Sequence, residues 1–178
     1  YELIDVYKSL ELQDVTLDII GNPDNDNKER IKNCIKDDFS IRLMPAMKQI
    51  ELADYLREKH IFIMPSFYEG VALMAIESLA CGMYVVATDI EALRTLLGKE
   101  VEESGIIKYV PLPGIYDTDK PLKEDLPLFK ENLRKAILYQ IEKVRDKKEC
   151  HIGMEEKLKS FSWEKLVNNM NDIISSMQ

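Results

Sequence analysis

The stretch from Phe62 to Asp89 constrains the fold of this chain more than any other; it reads FIMPSFYEGVALMAIESLACGMYVVATD. The pattern predicts a strand, a short loop, an apolar helix, a glycine that ends the helix, and a second strand. Two strands joined by one helix form a parallel pair with a right-handed crossover. The rest of the chain repeats this alternation. The sequence therefore predicts an α/β fold, with a doubly wound, Rossmann-like parallel sheet and helices on both faces.

Hydrophobic periodicity and glycine or proline breaks define the other elements. The expected strands are residues 15–20, 39–44, 61–64, 84–88 and 105–110. The expected helices are residues 1–12, 27–35, 47–59, 71–81, 90–97 (ended by Gly98), 125–147 and 154–177. Residues 111–123 contain three prolines and a glycine, so a loop is expected there. In the helix over 47–59, the spacing predicts that Ile50, Leu52, Ala53 and Leu56 are buried.

The order of elements is unusual at its start. A doubly wound domain normally opens with a strand, whereas this sequence opens with a helix. Either a first strand precedes Tyr1, or the sheet is one strand short.

Composition excludes several classes of function. The net charge is −8 and no basic block occurs, which argues against a nucleic-acid partner. No signal peptide and no run long and apolar enough to span a membrane is found. Cys34, Cys81 and Cys150 are widely spaced without a CxxC pair, as expected for reduced thiols in a cytoplasmic protein, with Cys81 in the core. No cluster of His, Cys and carboxylates predicts a metal site.

Two carboxylates flank the start of the apolar helix. Helix N-termini bind phosphate through unpaired amides and the helix dipole. Glu77 lies about 6 Å along the axis from Leu73, a suitable distance between a phosphate and the ribose of one nucleotide. Glu69 precedes the helix on the other side. A phosphate compound with hydroxyls at both ends, such as a nucleotide sugar, fits this layout. Alternatively, Glu77 and Ser78 form a narrow solvent face, and Glu69 is a first-turn acid that complements the dipole.

With these residues in place, the stretch resembles the donor-binding half of retaining glycosyltransferases with the GT-B fold, and most closely glycosyltransferase family 4. That family carries P-S-x-x-E-G-F-G-L followed by E-A-x-A-x-G-x-P-V-V-A-T-D. The matching segments here are Pro65–Leu73 (PSFYEGVAL) and Glu77–Asp89 (ESLACGMYVVATD). The segment Phe161-Ser162-Trp163-Glu164 also resembles the family's C-terminal ending, with Ser162 as a candidate N-cap of the last helix.

The resemblance implies roles around the start of the helix. Glu69, the expected catalytic residue, would contact donor-sugar hydroxyls near the reacting carbon. Backbone amides of Val71, Ala72 and Leu73 would hold the diphosphate. Gly70 has no side chain, so a ligand can approach its backbone closely.

Further roles concern the nucleoside. Glu77 would accept hydrogen bonds from the ribose diol. The Met44-Pro45-Ala46 turn and Ile50 would flank the base, although a core methionine is an equally good interpretation of Met44.

The chain departs from the family pattern in four places. Ala72 replaces a glycine and narrows the room for phosphate, and Tyr84 replaces a proline. Glu91-Ala92 replaces a glycine pair, so a helix is expected there instead of a donor-binding loop. The Arg and Lys with which the family neutralises the departing diphosphate would lie just before Tyr1, outside these residues.

The resulting hypothesis is a donor-binding domain over residues 1–178, with C-terminal helices from about residue 125. It would bind a UDP- or GDP-linked sugar for retaining transfer of a hexose to a hydroxyl, without a metal or cofactor, in cytoplasmic polysaccharide synthesis. Its partner would be an N-terminal acceptor domain that is absent here and could contact a membrane peripherally, so the fragment alone would be inactive. Two alternatives stay open: a GT-B nucleotide-sugar epimerase or hydrolase, and a non-catalytic Rossmann-like binding module.

Overall fold

The computed structural model describes residues 1–70, 72–146, 155–162, 164–165, 167–168 and 175. Helices and strands alternate as far as the fifth strand, and the predicted bounds of the third and fourth strands are confirmed residue for residue. The elements in chain order are α1 (Glu2–Ser9), β1 (Leu17–Ile20), α2 (Asn25–Ile35), β2 (Ile41–Met44), α3 (Gln49–Arg57), β3 (Ile61–Met64), α4 (Leu73–Ala80), β4 (Tyr84–Thr88), α5 (Glu91–Ser104), β5 (Ile107–Val110), β6 (Ile115–Asp117), β7 (Lys120–Pro121), α6 (Leu126–Arg145) and α7 (Glu155–Lys159).

The parallel strands form two ladders. β1 pairs with β2, and β4 lies between β3 and β5. All three pairings are parallel. Within the described residues, β1 and β3 are each hydrogen-bonded to a strand on one side only. The continuous sheet implied by the sequence is therefore divided between β1 and β3.

Helices cover both faces of the larger ladder, which confirms the predicted doubly wound arrangement. On one face, a buried cluster joins the strands to α4 and α5 through Leu79, Leu93 and Leu97. On the other face, Val86 of β4 packs with α1 and α6, where Phe129 is buried. β4 is buried along its whole length, because a central strand covered on both faces is apolar throughout.

The second half of the chain departs from the predictions in two places. Gly98 ends the first helical stretch of α5 as predicted, because its φ of 76° and ψ of 171° are not helical, but a second helical stretch that was not predicted continues to Ser104. Glycine adopts this backbone geometry without the steric cost that a Cβ imposes. The stretch 111–123 is not a simple loop, because β6 and β7 form an antiparallel pair within it.

The predicted burial of Ile50 is wrong. Leu56 is buried, Leu52 and Ala53 are half-buried, and Ile50 is 80% exposed. Ile50 lies two residues from Leu52, or about 200° around the helix, so it faces away from the side that packs. No helix in the described part of the chain is both long and apolar enough to cross a membrane.

Candidate functional site

The loops after β2 and β3 meet at one edge of the sheet. Gln49, the first residue of α3, donates a hydrogen bond from Nε2 to Glu77 Oε1 of α4 at 3.3 Å. α3 follows β2 and α4 follows β3, so this contact brings the carboxyl ends of two strands from different ladders together. Ligands of doubly wound domains bind at this edge. The candidate site therefore lies between the starts of α3 and α4.

The start of α4 has no side-chain cap. Ala72 is its N-cap residue, with φ −75° and ψ 58°, and the first turn contains no acidic residue. Leu73 is 48% exposed and Gly70 is exposed. First-turn amides of a helix lack intrahelical partners, so this end can accept an anion. The predicted amide of Val71 lies outside the described residues.

The methyl group of Ala72 points into the protein. Ala72 is 4% exposed and belongs to the buried cluster that also contains Ala75 and Leu79. The alanine in place of the family's glycine is therefore accommodated by the core beneath α4.

Glu77 and Ser78 do not form a common solvent face. Glu77 is half-buried and contacts Gln49, whereas Ser78 is fully buried. The alternative that pairs these two residues on the surface is therefore wrong. Glu69 is half-buried in the loop between β3 and α4, four residues before the start of α4.

Hydrogen bonds connect the turn after β1 to the end of β2 and the turn that follows it. The Gly21 amide donates to the Met44 carbonyl at 3.1 Å, and the Ala46 amide donates to Asn22 Oδ1 at 3.0 Å. Met44 is half-buried, and its sulfur lies 3.2 Å from the hydroxyl oxygen of Tyr55. This contact gives Met44 a packing role as well. The fixed turn leads into α3, where Pro45 is exposed just before the helix.

Asp18 anchors α3 on β1 and β2. Its carboxylate accepts hydrogen bonds from Arg42, at 2.6 and 2.8 Å, and from the Tyr55 hydroxyl, and Lys59 lies 3.5 Å away. Burial pushes the pKa of Asp18 upwards, but the hydrogen bonds from Arg42 and Tyr55 and the charges of Arg42 and Lys59 hold it below its ordinary value. This network fixes α3 and thereby the position of Gln49.

An ion-pair network connects the residue that follows β4 to α5. Arg94 donates to both carboxylate oxygens of Asp89 at 2.7 Å and to Glu102 at 3.1 and 3.2 Å. Its guanidinium lies 4.6 Å from the ring centroid of Tyr109. Burial raises the pKa of Tyr109 to about 12. Two carboxylates neutralise Arg94. The predicted helix is present and begins at Glu91, one residue after its predicted start, so this segment presents a helix start instead of a glycine loop.

Two residues of this site were missed by the sequence prediction. Gln49 orients Glu77, and Asn22 holds the turn after β2. The Gly-Asn-Pro turn after β1 was a usable signal for Asn22. Nothing local marks Gln49, because its contact spans 28 positions. Of the predicted C-terminal features, Ser162 Oγ accepts a hydrogen bond from the Lys165 amide at 3.3 Å, as an N-cap does, whereas Trp163 lies outside the described residues.

The fold and this edge define a doubly wound α/β architecture of the GT-B type. A sequence model of the family described as glycosyl transferases group 1 matches residues 2–110, more than half of the chain. The chain therefore belongs to the glycosyl transferases group 1 family.

Curated relatives are matched over part of their length. The D-inositol 3-phosphate glycosyltransferase of Streptosporangium roseum is 39% identical over 67 residues, which are 38% of this chain and 15% of that protein. The lipopolysaccharide core biosynthesis mannosyltransferase LpsB of Rhizobium meliloti is 31% identical over 101 residues, 56% of this chain and 28% of that protein. The chain thus spans well under a third of these relatives.

Solved structures share the fold over nearly the whole chain. Sucrose-phosphate synthase from Thermosynechococcus elongatus gives a TM-score of 0.71 at 18% identity, over 99% of this chain and 41% of that one. The pneumococcal O-GlcNAc transferase GtfA, in complex with UDP and GlcNAc, gives a TM-score of 0.63 at 17% identity, over 98% of this chain and 31% of that one. The predicted GT-B-like fold is confirmed; at these identities the likeness extends to the fold alone.

Proposed function

We propose that these residues form the donor-binding part of a family 4 GT-B glycosyltransferase, which transfers a hexose from a UDP- or GDP-linked sugar to a hydroxyl with retention. The observation that carries the proposal is the pairing of an uncapped helix start with Glu77 one turn further along α4. A diphosphate at the first amides of α4 would leave the ribose hydroxyls about 6 Å along the axis, beside the Glu77 carboxylate.

The residues around this pair have compatible positions. Exposed Ile50, in the first turn of α3, offers an apolar surface for the base beside the Met44-Pro45 turn. Gly70 has open space around it, since an added Cβ would meet nothing within 4 Å. Glu69 would face the sugar at the other end of the diphosphate.

Catalysis in this proposal rests on positioning the donor and stabilising the leaving diphosphate, without a metal or other cofactor. Arg94 is paired with Asp89 and Glu102, so it is not assigned to the diphosphate in this proposal. An N-terminal domain would supply the acceptor site, with any membrane contact peripheral. The name of one curated relative, a mannosyltransferase of lipopolysaccharide core biosynthesis, supports a hexose donor and glycan synthesis.

Calorimetric titration of the gene-encoded polypeptide with UDP, GDP and ADP tests the proposal. We expect one nucleoside diphosphate to bind, and absence of binding by all three would overturn it. NMR of the products from a labelled donor then separates reaction types. A new glycoside of unchanged anomeric configuration supports retaining transfer. An epimerised donor, or free sugar as the main product, would indicate the epimerase or hydrolase alternative.

A further inference from the structure

The loop that carries Glu69 joins β3 to α4 over residues 65–72. Among the described residues, no side chain from 66 to 70 makes a hydrogen bond or an ion pair. A side chain is oriented either by its own contacts or by the backbone that carries it. The orientation of Glu69 therefore depends on how this loop is held.

Packing holds the loop at two points, on opposite faces of the larger ladder. Phe67 packs against the buried cluster that joins β4 to α1 and α6. Ala72 belongs to the cluster on the other face, with α4 and α5. Glu69 follows Phe67 by two residues and precedes Ala72 by three. The loop thus crosses the carboxyl edge of the sheet between its two anchors, and Glu69 lies within the crossing.

The first anchor is an aromatic pair between the loop and α6. The ring centroids of Phe67 and Phe129 are 5.1 Å apart, and the ring planes meet at 61°. Aromatic pairs prefer this edge-to-face arrangement, which stabilises them beyond the area that they bury. Phe129 is 2% exposed and Phe67 is half-buried. The loop is therefore attached to a helix that lies outside the motif carrying Glu69.

The start of α6 fixes the position of Phe129. The Phe129 amide donates to the Asp125 carbonyl at 3.0 Å, and Asp125 Oδ2 accepts a hydrogen bond from the Gly114 amide at 2.8 Å. The Leu122 amide donates to the Gly114 carbonyl at 2.7 Å, which closes the segment before α6. Phe129 thus offers Phe67 a surface that is held by its own hydrogen-bonded surroundings.

The geometry points to a positioning role: we propose that the contact between Phe67 and Phe129 holds Glu69 in place against the donor sugar. This role rests on the proposed function, in which Glu69 contacts hydroxyls of that sugar. The diphosphate and the ribose would be bound at the first turn of α4 and at Glu77, beyond the second anchor at Ala72. Loss of the aromatic contact should therefore loosen the sugar end of the site and leave the nucleotide end in place.

A phenylalanine that served packing alone would behave differently. Its loss would lower the free energy of unfolding, but it would change the affinities for a nucleotide and for the corresponding nucleotide sugar by the same factor. The ratio of these two affinities therefore separates a positioning role from a purely structural one.

Isothermal titration calorimetry of the gene-encoded polypeptide measures this ratio. The ligands are UDP, GDP, UDP-glucose, UDP-N-acetylglucosamine and GDP-mannose, and the Kd of each nucleotide sugar is divided by that of its nucleoside diphosphate. We expect Phe67→Ala to raise the ratio for the preferred sugar about tenfold, the loss of one hydrogen bond to a carboxylate. The Kd of the diphosphate itself should stay within about twofold of the native value. Phe129→Leu, which keeps an apolar side chain but removes the ring, should raise the ratio about threefold.

Two further variants serve as controls. Leu133 is fully buried in the same cluster, one turn further along α6, so Leu133→Ala should lower stability without changing the ratio. Glu69→Gln should raise the ratio by itself. Adding Phe67→Ala to Glu69→Gln should raise it no further, because Phe67 acts through Glu69.

NMR relaxation of the Glu69 amide needs no ligand, so it is independent of the donor-site proposal. We expect an order parameter of about 0.85 in the native polypeptide and below about 0.6 in Phe67→Ala. Leu133→Ala should keep the native value. A lower order parameter would show that the aromatic contact, and not the stability of the cluster in general, holds the loop.

Several results would overturn the positioning role while the nucleotide site stands. They are an unchanged ratio in Phe67→Ala, an equal rise in Leu133→Ala, an unchanged Glu69 order parameter, and a native polypeptide that binds a nucleoside diphosphate but none of the three nucleotide sugars. Failure of the native polypeptide to bind any of the five compounds would instead overturn the proposed function, and the positioning role with it.

Discussion

Replacing Glu77 by Gln probes the donor site with little disturbance of the fold. Glu77 is half-buried, and its described partner is Gln49 at 3.3 Å, just beyond the usual range for an N–H···O hydrogen bond. Glutamine keeps the size and helix propensity of glutamate. We therefore expect the free energy of unfolding to change by less than about 0.5 kcal/mol, as at surface positions.

The effect on nucleotide binding should be much larger. A carboxylate that accepts hydrogen bonds from the ribose diol contributes about 1.5–3 kcal/mol, and Glu77 belongs in the lower half of that range because it is partly solvated. At 1.4 kcal/mol per tenfold change, Glu77→Gln should raise the Kd of the preferred nucleoside diphosphate about ten- to fiftyfold. Gln49→Ala removes only the orienting contact and should raise the Kd about twofold.

Isothermal titration calorimetry of the gene-encoded polypeptide provides the assay, with denaturant unfolding as the check on stability. Glu100→Gln is the matched control, because Glu100 is exposed on α5 and carries the same charge. A Kd for Glu77→Gln within twofold of the control, in a protein of unchanged stability, would refute the role of Glu77.

Three further predictions concern the supporting structure. The pKa of Asp18 is lowered in the fold, so its contribution to stability is complete above its ordinary value of 3.8 and is lost as the pH falls through the lowered pKa. Below pH 3.8, the free energy of unfolding of Asp18→Asn should therefore fall less steeply with pH than that of the native chain. Identical slopes of the two proteins would contradict this. Leu79→Ala removes a fully buried side chain beneath α4 and should cost about 2–5 kcal/mol in urea unfolding, whereas a loss below 1 kcal/mol would mean that α4 packs loosely. Gly98→Ala places a Cβ at φ 76° and should lower the free energy of unfolding by about 1–3 kcal/mol. Backbone strain alone accounts for this loss, because the nearest described atom to the added Cβ is Lys157 Nζ at 4.0 Å. An unchanged Tm would argue against the kink.

The sequence predicted best where one local pattern determines the structure. β3 and β4 were bounded correctly because apolar, β-branched runs end at Pro65 and at Thr88-Asp89. The helix at Glu91 was also predicted, from the loss of a glycine pair. The motif from Pro65 to Asp89 placed Glu77 inside the helix between these two strands, which is where α4 has it.

The sequence predictions failed where contacts between residues distant in the chain determine the structure. Ile50 matched a helical spacing, but only the packing of α3 shows which face is inward. The β6–β7 pair has strands of three and two residues with a register shift between Ile115 and Asp117, too short for a periodic signal. The division of the sheet between β1 and β3 depends on pairing partners, which no local pattern reports.

The central claim is that a diphosphate binds at the first turn of α4 with its ribose at Glu77. NMR of the Leu73 amide, in protein isotopically labelled only at leucine nitrogens and assigned through loss of this signal in Leu73→Met, tests this most directly by comparing UDP with uridine, or GDP with guanosine. Hydrogen bonding to phosphate should move the Leu73 amide proton downfield with the diphosphate and leave it nearly unmoved with the nucleoside. A diphosphate that binds by calorimetry without moving the Leu73 resonance would contradict the account.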